Sequence, residues 1–565
     1  MNDERKRGSL FGRLARGLRS NPAASENDGA RTEQYPGVPA AGIAGAPSSA
    51  SDLINQGLIR RARDGAAAAL PLFEQAAELA PNSYMPFLML GNATSELDEL
   101  DRAATYFERA RDLEPNNHVV RYNLGINHLW RGYIQLAIEE LQTACRLHPS
   151  YDTAHTALIM ALHSSDLISP EEIANYIRRW AARLALQHPA SASSLTPDRA
   201  LQRKLRVGFV SGDFRLHSVA HFFEPILNAR NHDAFEYHLY HNSPQRDAVT
   251  ERLRTGADAW HDVWQLSDEA LIELIRADRI DMLVDLSGHT EGNRLSVFAR
   301  RAAAVQLTYL GFPNSSGLAT MDYRITDIAT DEYPLADGWH SETLLRLPDA
   351  QWCFRPFGTP PAVGPLPARS VGYVTFGSFN NFSKASDRLL RCWTEILVRS
   401  PTSRLRLTRV RSPHRAREIV ALFEKSGIAA ERIECVPYRS AVPHGAQFAG
   451  VDIGLDHYPY NGVTTTCESL YVGVPVISLH GRNCVSRSGL SILNTLGLGE
   501  LVASTADQYV NIAIGLANDL PRLELLRSGL RSRFEHSPLR AEKRFAASFE
   551  QLLRYAWQQY LVFHG

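Results

Sequence analysis

The sequence predicts an array of paired α-helices followed by a two-lobed α/β protein, and three observations support this prediction. Small and apolar residues recur at a constant step in the first third of the chain. Strand-like and helix-like patterns alternate from Lys204 onward. A segment rich in proline and glycine, "FRPFGTPPAVGPLPARS", interrupts the alternation once, after which it starts again.

The repeat is present at several positions at once. Pro81, Pro115 and Pro149 follow one another at equal intervals. The other positions that share this step are Phe73, Phe107 and Leu141; Ala76, Ala110 and Ala144; Leu79, Leu113 and Leu147; Leu90, Leu124 and Leu158; and Gly91 with Gly125. A period of about 34 residues, with small residues at helix contacts and proline after the second helix, is typical of tetratricopeptide repeats.

The repeats are predicted to fill about 52–165 as two complete units with flanking half-repeats, and capping helices extend the region to 200. Stacked repeats present a concave groove, so a protein or peptide is the expected partner. The alternative is that so short an array is only a spacer.

The alternating region divides into an amino-terminal lobe, 204–355, a linker, 356–370, and a carboxy-terminal lobe, 371–540. A last helix is predicted at 541–565. Alternating strands and helices indicate a parallel sheet covered on both faces. Ligands of such sheets bind beyond the carboxyl ends of the strands. Two such lobes therefore predict a cleft for a small molecule.

The composition excludes several classes of protein. Lys and Arg number 60 and Asp and Glu 61, a net charge of -1 that argues against a nucleic-acid partner. The six cysteines form no CxxC pair, which fits a cytoplasmic location. No apolar run reaches the length that a membrane span requires, so no stable membrane insertion is expected. Residues 1–51 are predicted to be a disordered tail and linker, although the basic start could form a short amphipathic helix.

One candidate anion site follows a strand that ends at Asp456. A loop with Pro459, Asn461 and Gly462 leads into a helix that begins near Thr464, where three threonines stand in a row. Free amides and hydroxyls at a helix start suit a phosphate. Glu468 lies one turn further on the same face, where its carboxylate could bind the two hydroxyls of a ribose. The alternative is a plain N-cap with a solvated glutamate.

A second candidate is the segment "VTFGSFNNFSKASDRLL". Asn380, Asn381, Ser383 and Lys384 follow a buried strand and precede a helix. This order places Lys384 at the carboxyl edge of the sheet, where a phosphate would bind. An ordinary surface lysine is the alternative.

The amino-terminal lobe offers a proton-handling residue. In "VSGDFRLHSVAHFF", His217 and His221 could share a helix face, but no third metal ligand matches their spacing. His217 is better placed as a loop-to-helix residue that moves a proton, and the alternative is a helix cap. The residues predicted to line the cleft from this lobe are His289, Leu310, Gly311 and Pro313.

Several common motifs are absent from the sequence. It has no GxxxxGK[ST] phosphate loop, no GxGxxG after the early strands, no HExxH and no GxSxG. It also lacks an Asp-x-Asp pair, the device by which many sugar transferases hold a metal ion.

Taken together, the segments "VGFVSGDFRLHSVAHF", "YLGFPNSSG", "MDYRITD", "FGSFNNFSK" and "YNGVTTTCESLYVGVPVI" resemble glycosyltransferase family 41. The resemblance is to the bacterial O-linked N-acetylglucosamine transferases and covers about 52–540. It implies a GT-B fold of two α/β lobes. It also implies inverting transfer of N-acetylglucosamine from UDP-N-acetylglucosamine to Ser or Thr of proteins, without a metal or other cofactor.

The resemblance also assigns roles to single residues. It implies His217 as the proposed general base and Lys384 as the lysine that contacts the diphosphate. The other nucleotide contacts that it implies are Asn381, His444 near the uracil, Thr464 and Thr465 at the phosphates, and Glu468 where animal enzymes have an aspartate. Val463 replaces the histidine that animal enzymes have before the two threonines, and both the linker and the repeat array are shorter.

Two other functions stay open at this point. One is a different GT-B activity, such as a UDP-sugar epimerase or a transferase onto a small acceptor. The other is a repeat scaffold whose lobes sense a UDP-sugar with little turnover. The sequence also leaves open whether His217 or a substrate phosphate accepts the proton from the acceptor.

Overall fold

A computed structural model describes residues 49–190, 198–437 and 447–564. The predicted tail and linker therefore lie almost entirely outside the described residues. The chain divides into two compact units. The first consists mainly of the residues up to Ala161 with Val410–Ile419, and the second holds most of the remainder.

The first unit is the helical repeat array. Its helices are α1 (Ala50–Asp64), α2 (Ala66–Leu79), α3 (Tyr84–Glu96), α4 (Leu100–Leu113), α5 (His118–Arg131) and α6 (Ile134–Leu147). They are followed by α7 (Asp152–His163), whose last residues belong to the second unit, and by α8 (Pro170–Gln187). Three complete pairs precede α7, one more than the sequence predicted. α8 lies where the sequence predicted capping helices, and it belongs to the second unit.

The repeating small residues make the close helix contacts that the sequence predicted. A Cβ on Gly91 would stand 2.4 Å from the ring of Phe107, and one on Gly125 would stand 2.7 Å from Leu141. Gly57, one repeat step before Gly91, meets Phe73 in the same way at 2.3 Å, which shows that the predicted half-repeat is a complete pair. Leu79 and Leu147 share the repeat step but are exposed at the ends of α2 and α6.

The amino-terminal lobe is a parallel sheet of seven strands in the order β3-β2-β1-β4-β5-β6-β7. Its elements are β1 (Leu205–Ser211), α9 (Ser218–Asn228), β2 (Phe235–His241), α10 (Ala248–Gly256), β3 (Ala259–Asp262), α11 (Asp268–Ala277), β4 (Met282–Asp285), α12 (Leu295–Ala299), β5 (Val305–Thr308), β6 (Tyr323–Asp327) and β7 (Thr343–Leu347). The central strands are buried on both faces because helices cover them.

The carboxy-terminal lobe has six parallel strands in the order β10-β9-β8-β11-β12-β13. Its elements are α13 (Pro367–Val371), β8 (Thr375–Ser378), α14 (Asp387–Arg399), β9 (Arg404–Thr408), α15 (Pro413–Glu424), β10 (Ile433–Val436), β11 (Ile453–Leu455), α16 (Thr464–Tyr471), β12 (Val476–Leu479), α17 (Ser488–Thr495), β13 (Val502–Ala503), α18 (Ala506–Ala517) and α19 (Leu520–Glu535). The two α/β lobes therefore confirm the fold class that the sequence predicted.

The last helix, α20 (Glu542–His564), returns to the amino-terminal lobe. Phe545, Phe549 and Trp557 are buried in the same apolar cluster as the strands of that lobe. This packing explains why a helix so far along the chain carries an apolar stripe. None of the helices within residues 49–190, 198–437 and 447–564 combines the length and the hydropathy of a membrane-spanning segment.

Candidate active site

Asp456 is the centre of a buried polar network at the carboxyl end of β11. Its Oδ1 accepts hydrogen bonds from the amides of His457 and Gly462, at 2.9 and 2.8 Å, and its Oδ2 accepts one from Ser478 Oγ at 2.8 Å. The carboxylate thereby fixes the loop that connects β11 to α16. Burial raises the pKa of Asp456 to about 6, although these hydrogen bonds favour the charged form.

The same network ties three elements together. Asn380, which follows β8, donates to Asp456 Oδ1 at 3.2 Å and accepts from Thr465 Oγ1 at 2.8 Å. Gly462 lies between them, and a Cβ there would stand 2.4 Å from Thr465 Oγ1. Only glycine leaves room for this approach, so the start of α16 is held against the loop after β8.

The amino terminus of α16 is open to a ligand. Val463 occupies the N-cap position without a side-chain hydrogen bond. The amides of Thr464, Thr465 and Thr466 have no backbone acceptor among the described residues. Thr465 and Thr466 use their hydroxyls internally, the second on Gly462 O at 3.1 Å. The helix thus offers three amides and the hydroxyl of Thr464 to an anion.

Lys384 lies at the end of a 3-10 turn, Phe382–Lys384, in the segment between β8 and α14. Its Nζ is 3.8 Å from the centre of the Tyr460 ring, a cation–π contact that directs the ammonium toward the β11–α16 loop. Asn381 caps this turn, since its Oδ1 accepts from Ser383 N at 3.3 Å. The structure therefore places Lys384 at the sheet edge, as the sequence predicted, and gives Asn381 a local role in holding it there.

Burial lowers the pKa of Lys384 to about 8, and the charge of Asp456 opposes this shift. Arg409 adds to the depression. The ammonium is therefore charged at neutral pH but poorly solvated, with one carboxylate facing it. Such a group gains more from an incoming anion than a solvated lysine would.

Glu468 is buried on α16, one turn after Thr464. This position corrects the alternative of a solvated glutamate. Burial of a carboxylate is costly unless the group is paired, so the position fits a ligand hydroxyl or a structural partner.

His217 is the N-cap of α9. Its Nδ1 accepts from Val219 N at 3.3 Å and also lies 3.4 Å from Asp213 Oδ2. One nitrogen cannot accept from an amide and donate to a carboxylate at once. With the proton on Nδ1 toward Asp213, Nε2 holds a lone pair and can act as a base. With the amide bonded to Nδ1, Nε2 carries the proton and can only donate.

The loop after β5 is held in a strained path. Leu310 has a positive φ of 70°, and a Cβ on Gly311 would stand 1.9 Å from Leu286 O. Leu310, Gly311 and Pro313 are partly exposed, while Phe312 between them is buried. The three predicted cleft residues therefore lie on the outer side of this loop, at the carboxyl end of β5.

One histidine does not fulfil its predicted role, and a second has a structural one. His289 is fully buried, with Trp180 and Phe312 packed edge-on to its ring, and burial lowers its pKa to about 3. It cannot line a cleft, which corrects the prediction. His221 bonds Arg355 O at 2.7 Å and stacks on Phe357, so it fixes the segment after β7.

Sequence reasoning missed the central role of Asp456 and the cation–π partner Tyr460. A signal was available, because Asp456 ends a buried strand and precedes a loop of proline, asparagine and glycine. His444, predicted near the uracil, lies outside the described residues.

Comparisons with known proteins agree with this architecture. A model of glycosyl transferase family 41 matches residues 176–353 and 365–549. The chain is 34% identical over 422 residues to the probable UDP-N-acetylglucosamine–peptide N-acetylglucosaminyltransferase SPINDLY of Solanum lycopersicum. That match covers 74% of this chain and 45% of the relative. A relative of the same activity name, SEC of Arabidopsis thaliana, is 27% identical over 368 residues, which are 63% of this chain and 37% of that protein.

The chain thus spans less than half the length of these plant relatives. A solved structure matches more completely: an O-GlcNAc transferase of Thermobaculum terrenum that carries a lysine-to-methionine mutation. It is 34% identical, superposes with a TM-score of 0.83, and the match covers 91% of this chain and 98% of that one. With two lobes of the same fold and a family match over most of the chain, the protein belongs to glycosyl transferase family 41.

Proposed function

We propose that the chain is an inverting glycosyltransferase that moves N-acetylglucosamine from UDP-N-acetylglucosamine to Ser or Thr hydroxyls of proteins. One observation carries the proposal: a poorly solvated ammonium, Lys384, and the open amino terminus of α16 meet at one loop. Both present positive potential, and a diphosphate is an anion that suits them. The activity names of the relatives support the choice of sugar and acceptor.

In the proposed reaction the acceptor oxygen attacks the anomeric carbon as the bond from that carbon to the diphosphate oxygen breaks on the opposite face. The new glycosidic bond forms with inversion, and the electron pair of the broken bond stays on UDP. Lys384 and the amides of Thr464 and Thr465 would stabilise that developing charge, which is where preorganised dipoles accelerate a reaction most. No divalent ion or other cofactor is part of this proposal.

The proton of the acceptor hydroxyl would pass to His217 Nε2. This role needs the tautomer in which Nδ1 donates to Asp213, as happens when a carboxylate orients a catalytic imidazole. The rival acceptor of the proton is a phosphate oxygen of the donor. Asn381, Glu468 and His444 remain proposed nucleotide contacts, and Leu310, Gly311 and Pro313 remain proposed cleft residues.

The repeat array is the proposed docking site for protein acceptors, since stacked repeats commonly bind extended chains. A cytoplasmic location is also proposed, supported by the six cysteines, which all lie in the described part of the chain and form no disulfide there. The match over 98% of the Thermobaculum terrenum chain supports assignment to the short-array, bacterial type of the family. Nucleic acid is not a proposed partner.

A donor panel with protein acceptors tests the proposal. The full chain is incubated with cell proteins and radiolabelled UDP-N-acetylglucosamine, UDP-glucose or GDP-fucose, and acceptors are then identified by mass spectrometry. Label on Ser or Thr from UDP-N-acetylglucosamine alone supports the proposal. Label from another donor, conversion of the donor sugar to its epimer, or binding of UDP without turnover would each replace it with the corresponding alternative.

A further inference from the structure

A cluster of metal-binding side chains lies in the amino-terminal lobe, apart from the proposed active site. His238, His261 and Asp278 each offer one ligand atom, and these three atoms lie within 4.8 Å of one another. His238 is on β2, His261 is on the edge strand β3, and Asp278 follows the last residue of α11. The alternation of side chains along a strand explains why the two histidines are close. Tyr240 pairs with His261, and His238 lies two residues before Tyr240, so His238 and His261 project from the same face of the sheet.

The tautomer of His238 is fixed by its neighbour. Nε2 of this ring is 2.7 Å from Glu236 Oε1. An ionised carboxylate only accepts, so Nε2 carries a proton, and in the neutral ring Nδ1 then holds the lone pair. His238 is only 6% exposed, and its Nδ1 has no hydrogen-bond partner in the described part of the chain. A buried lone pair without a donor is costly, and a cation would satisfy it.

The ligand atoms of His261 and Asp278 are also held close together by neighbouring side chains. His261 Nε2 is 3.1 Å from Asp278 Oδ2, but the two atoms are not aligned for a hydrogen bond and Nε2 has no other partner among the described residues. Tyr240 donates to Asp278 Oδ2 at 2.7 Å and stacks on the His261 ring. Carboxylate or hydroxyl partners that hold ligands from behind are usual around protein metal sites.

The local charge also favours a cation. Glu236 and Asp278 contribute two carboxylates, and the guanidinium of Arg206 is the facing cation, with Nε 3.5 Å from Glu236. A second cluster, Asp331, His340 and Cys484, is fully buried and has Arg324 Nε 3.7 Å from Asp331 Oδ2. A buried guanidinium already balances that carboxylate, so the first cluster is the stronger candidate.

We propose that His238, His261 and Asp278 form a binding site for a transition-metal ion of the Zn²⁺ class. Two imidazoles and one carboxylate suit Zn²⁺ or Co²⁺ better than Mg²⁺ or Ca²⁺, which prefer oxygen ligands. Water would fill the fourth position. The ion would tie the short edge strand β3 to β2 and to the end of α11, and its role would be structural.

The test uses the full chain after treatment with a chelator. Zn²⁺ binding is measured by calorimetry, Co²⁺ binding by visible absorption, and the thermal midpoint is recorded with and without Zn²⁺. The variants are His261→Ala and Asp278→Asn, which alter the partly exposed ligands, and the control is His232→Ala, an exposed histidine of the same lobe.

We expect one equivalent of Zn²⁺ to bind the wild type and His232→Ala, with a higher thermal midpoint for both. Binding by His261→Ala and Asp278→Asn should be at least tenfold weaker, and the Co²⁺ bands should be lost. The proposal is wrong if the wild type binds no ion, or if both variants bind Zn²⁺ as tightly as the control and keep the thermal shift.

Discussion

The two α/β lobes share a topology but carry different chemistry at the same place. In each lobe the first strand is third from one edge, and the loop after it leads into a helix. In the amino-terminal lobe that loop sets His217 beside Asp213. In the carboxy-terminal lobe it sets Lys384 toward Asp456. In the proposed function the first loop moves a proton and the second holds an anion, so the fold supplies positions and the side chains decide their use.

The proton-handling loop should give the largest effect. His217→Ala is expected to lower kcat by about 10²- to 10⁴-fold, the range for loss of a general base, with little change in UDP affinity. His217→Asn is the matched control, because asparagine is a good N-cap but no base. Steady-state kinetics and calorimetry measure both. If His217→Asn restored the activity that His217→Ala loses, the histidine would only cap α9.

The anion-holding loop should respond next most strongly. Lys384→Met keeps most of the side-chain volume and removes the charge, and kcat is expected to fall by about 10²-fold or more. Lys384→Arg should restore only part of the rate, because a planar guanidinium poorly replaces a compact ammonium. Turnover of the methionine variant near the wild-type rate, with UDP release confirmed, would contradict the leaving-group role.

Glu468 tests the carboxy-terminal lobe alone, because it lies on α16 of that lobe. Glu468→Ala should weaken UDP binding by about 1–3 kcal/mol, the usual effect of losing a hydrogen bond to a charged group. Glu468→Asp is the control, since it keeps the carboxylate on a shorter side chain. Calorimetry that gives the same UDP affinity for the alanine variant and the wild type would remove Glu468 from the ribose site.

The pH profile separates the two loops again. Lys384 has a depressed pKa of about 8, so its charge is present below that pH and is lost as the pH rises through it. We expect kcat/KM for the donor to fall above about pH 8. In Lys384→Arg this fall should be absent up to about pH 9.5, because arginine stays charged. An identical alkaline fall in both proteins would assign it to another group.

Chelation should have the smallest effect. Turnover is expected to be unchanged by excess EDTA or by added Mn²⁺, because the proposed stabilisation of the diphosphate comes from Lys384 and amides. An ion at His238 and His261 would be removed by the chelator without a change in turnover. Activity that disappears with EDTA and returns with Mn²⁺ or Mg²⁺ would overturn the metal-free mechanism.

The sequence predicted most of the fold because the spacing of apolar residues indicates which face of each helix or strand is buried. The constant repeat step located the helix pairs, and strand–helix alternation located both sheets. A shared period does not tell a buried helix face from an exposed helix end, as the exposed Leu79 and Leu147 show. The first helix pair was predicted only as a flanking half-repeat, although Gly57 stands one repeat step before Gly91.

Prediction of the site was less complete, for a physical reason. Lys384 and Thr464 could be placed because each follows directly from a strand end or a helix start. The hydrogen bonds that connect the two segments could not be predicted. Asp456, Asn380 and Thr465 come from three separate elements that meet only in the folded lobe. Likewise, the burial of His289 depends on Trp180, which stands far earlier in the chain.

The first unit has a consequence for the order of folding. Repeat arrays normally form from neighbouring segments, but this one includes Val410–Ile419. Ser412 donates to Asp101 at 2.6 Å, and the almost fully buried Arg411 pairs with Asp98, so these contacts join segments far apart in the sequence. During synthesis the chain must therefore be made as far as Ile419 before the array can complete its contacts. Until then Asp98 stands without the guanidinium of Arg411, while Asp101 already pairs with Arg131 inside the array.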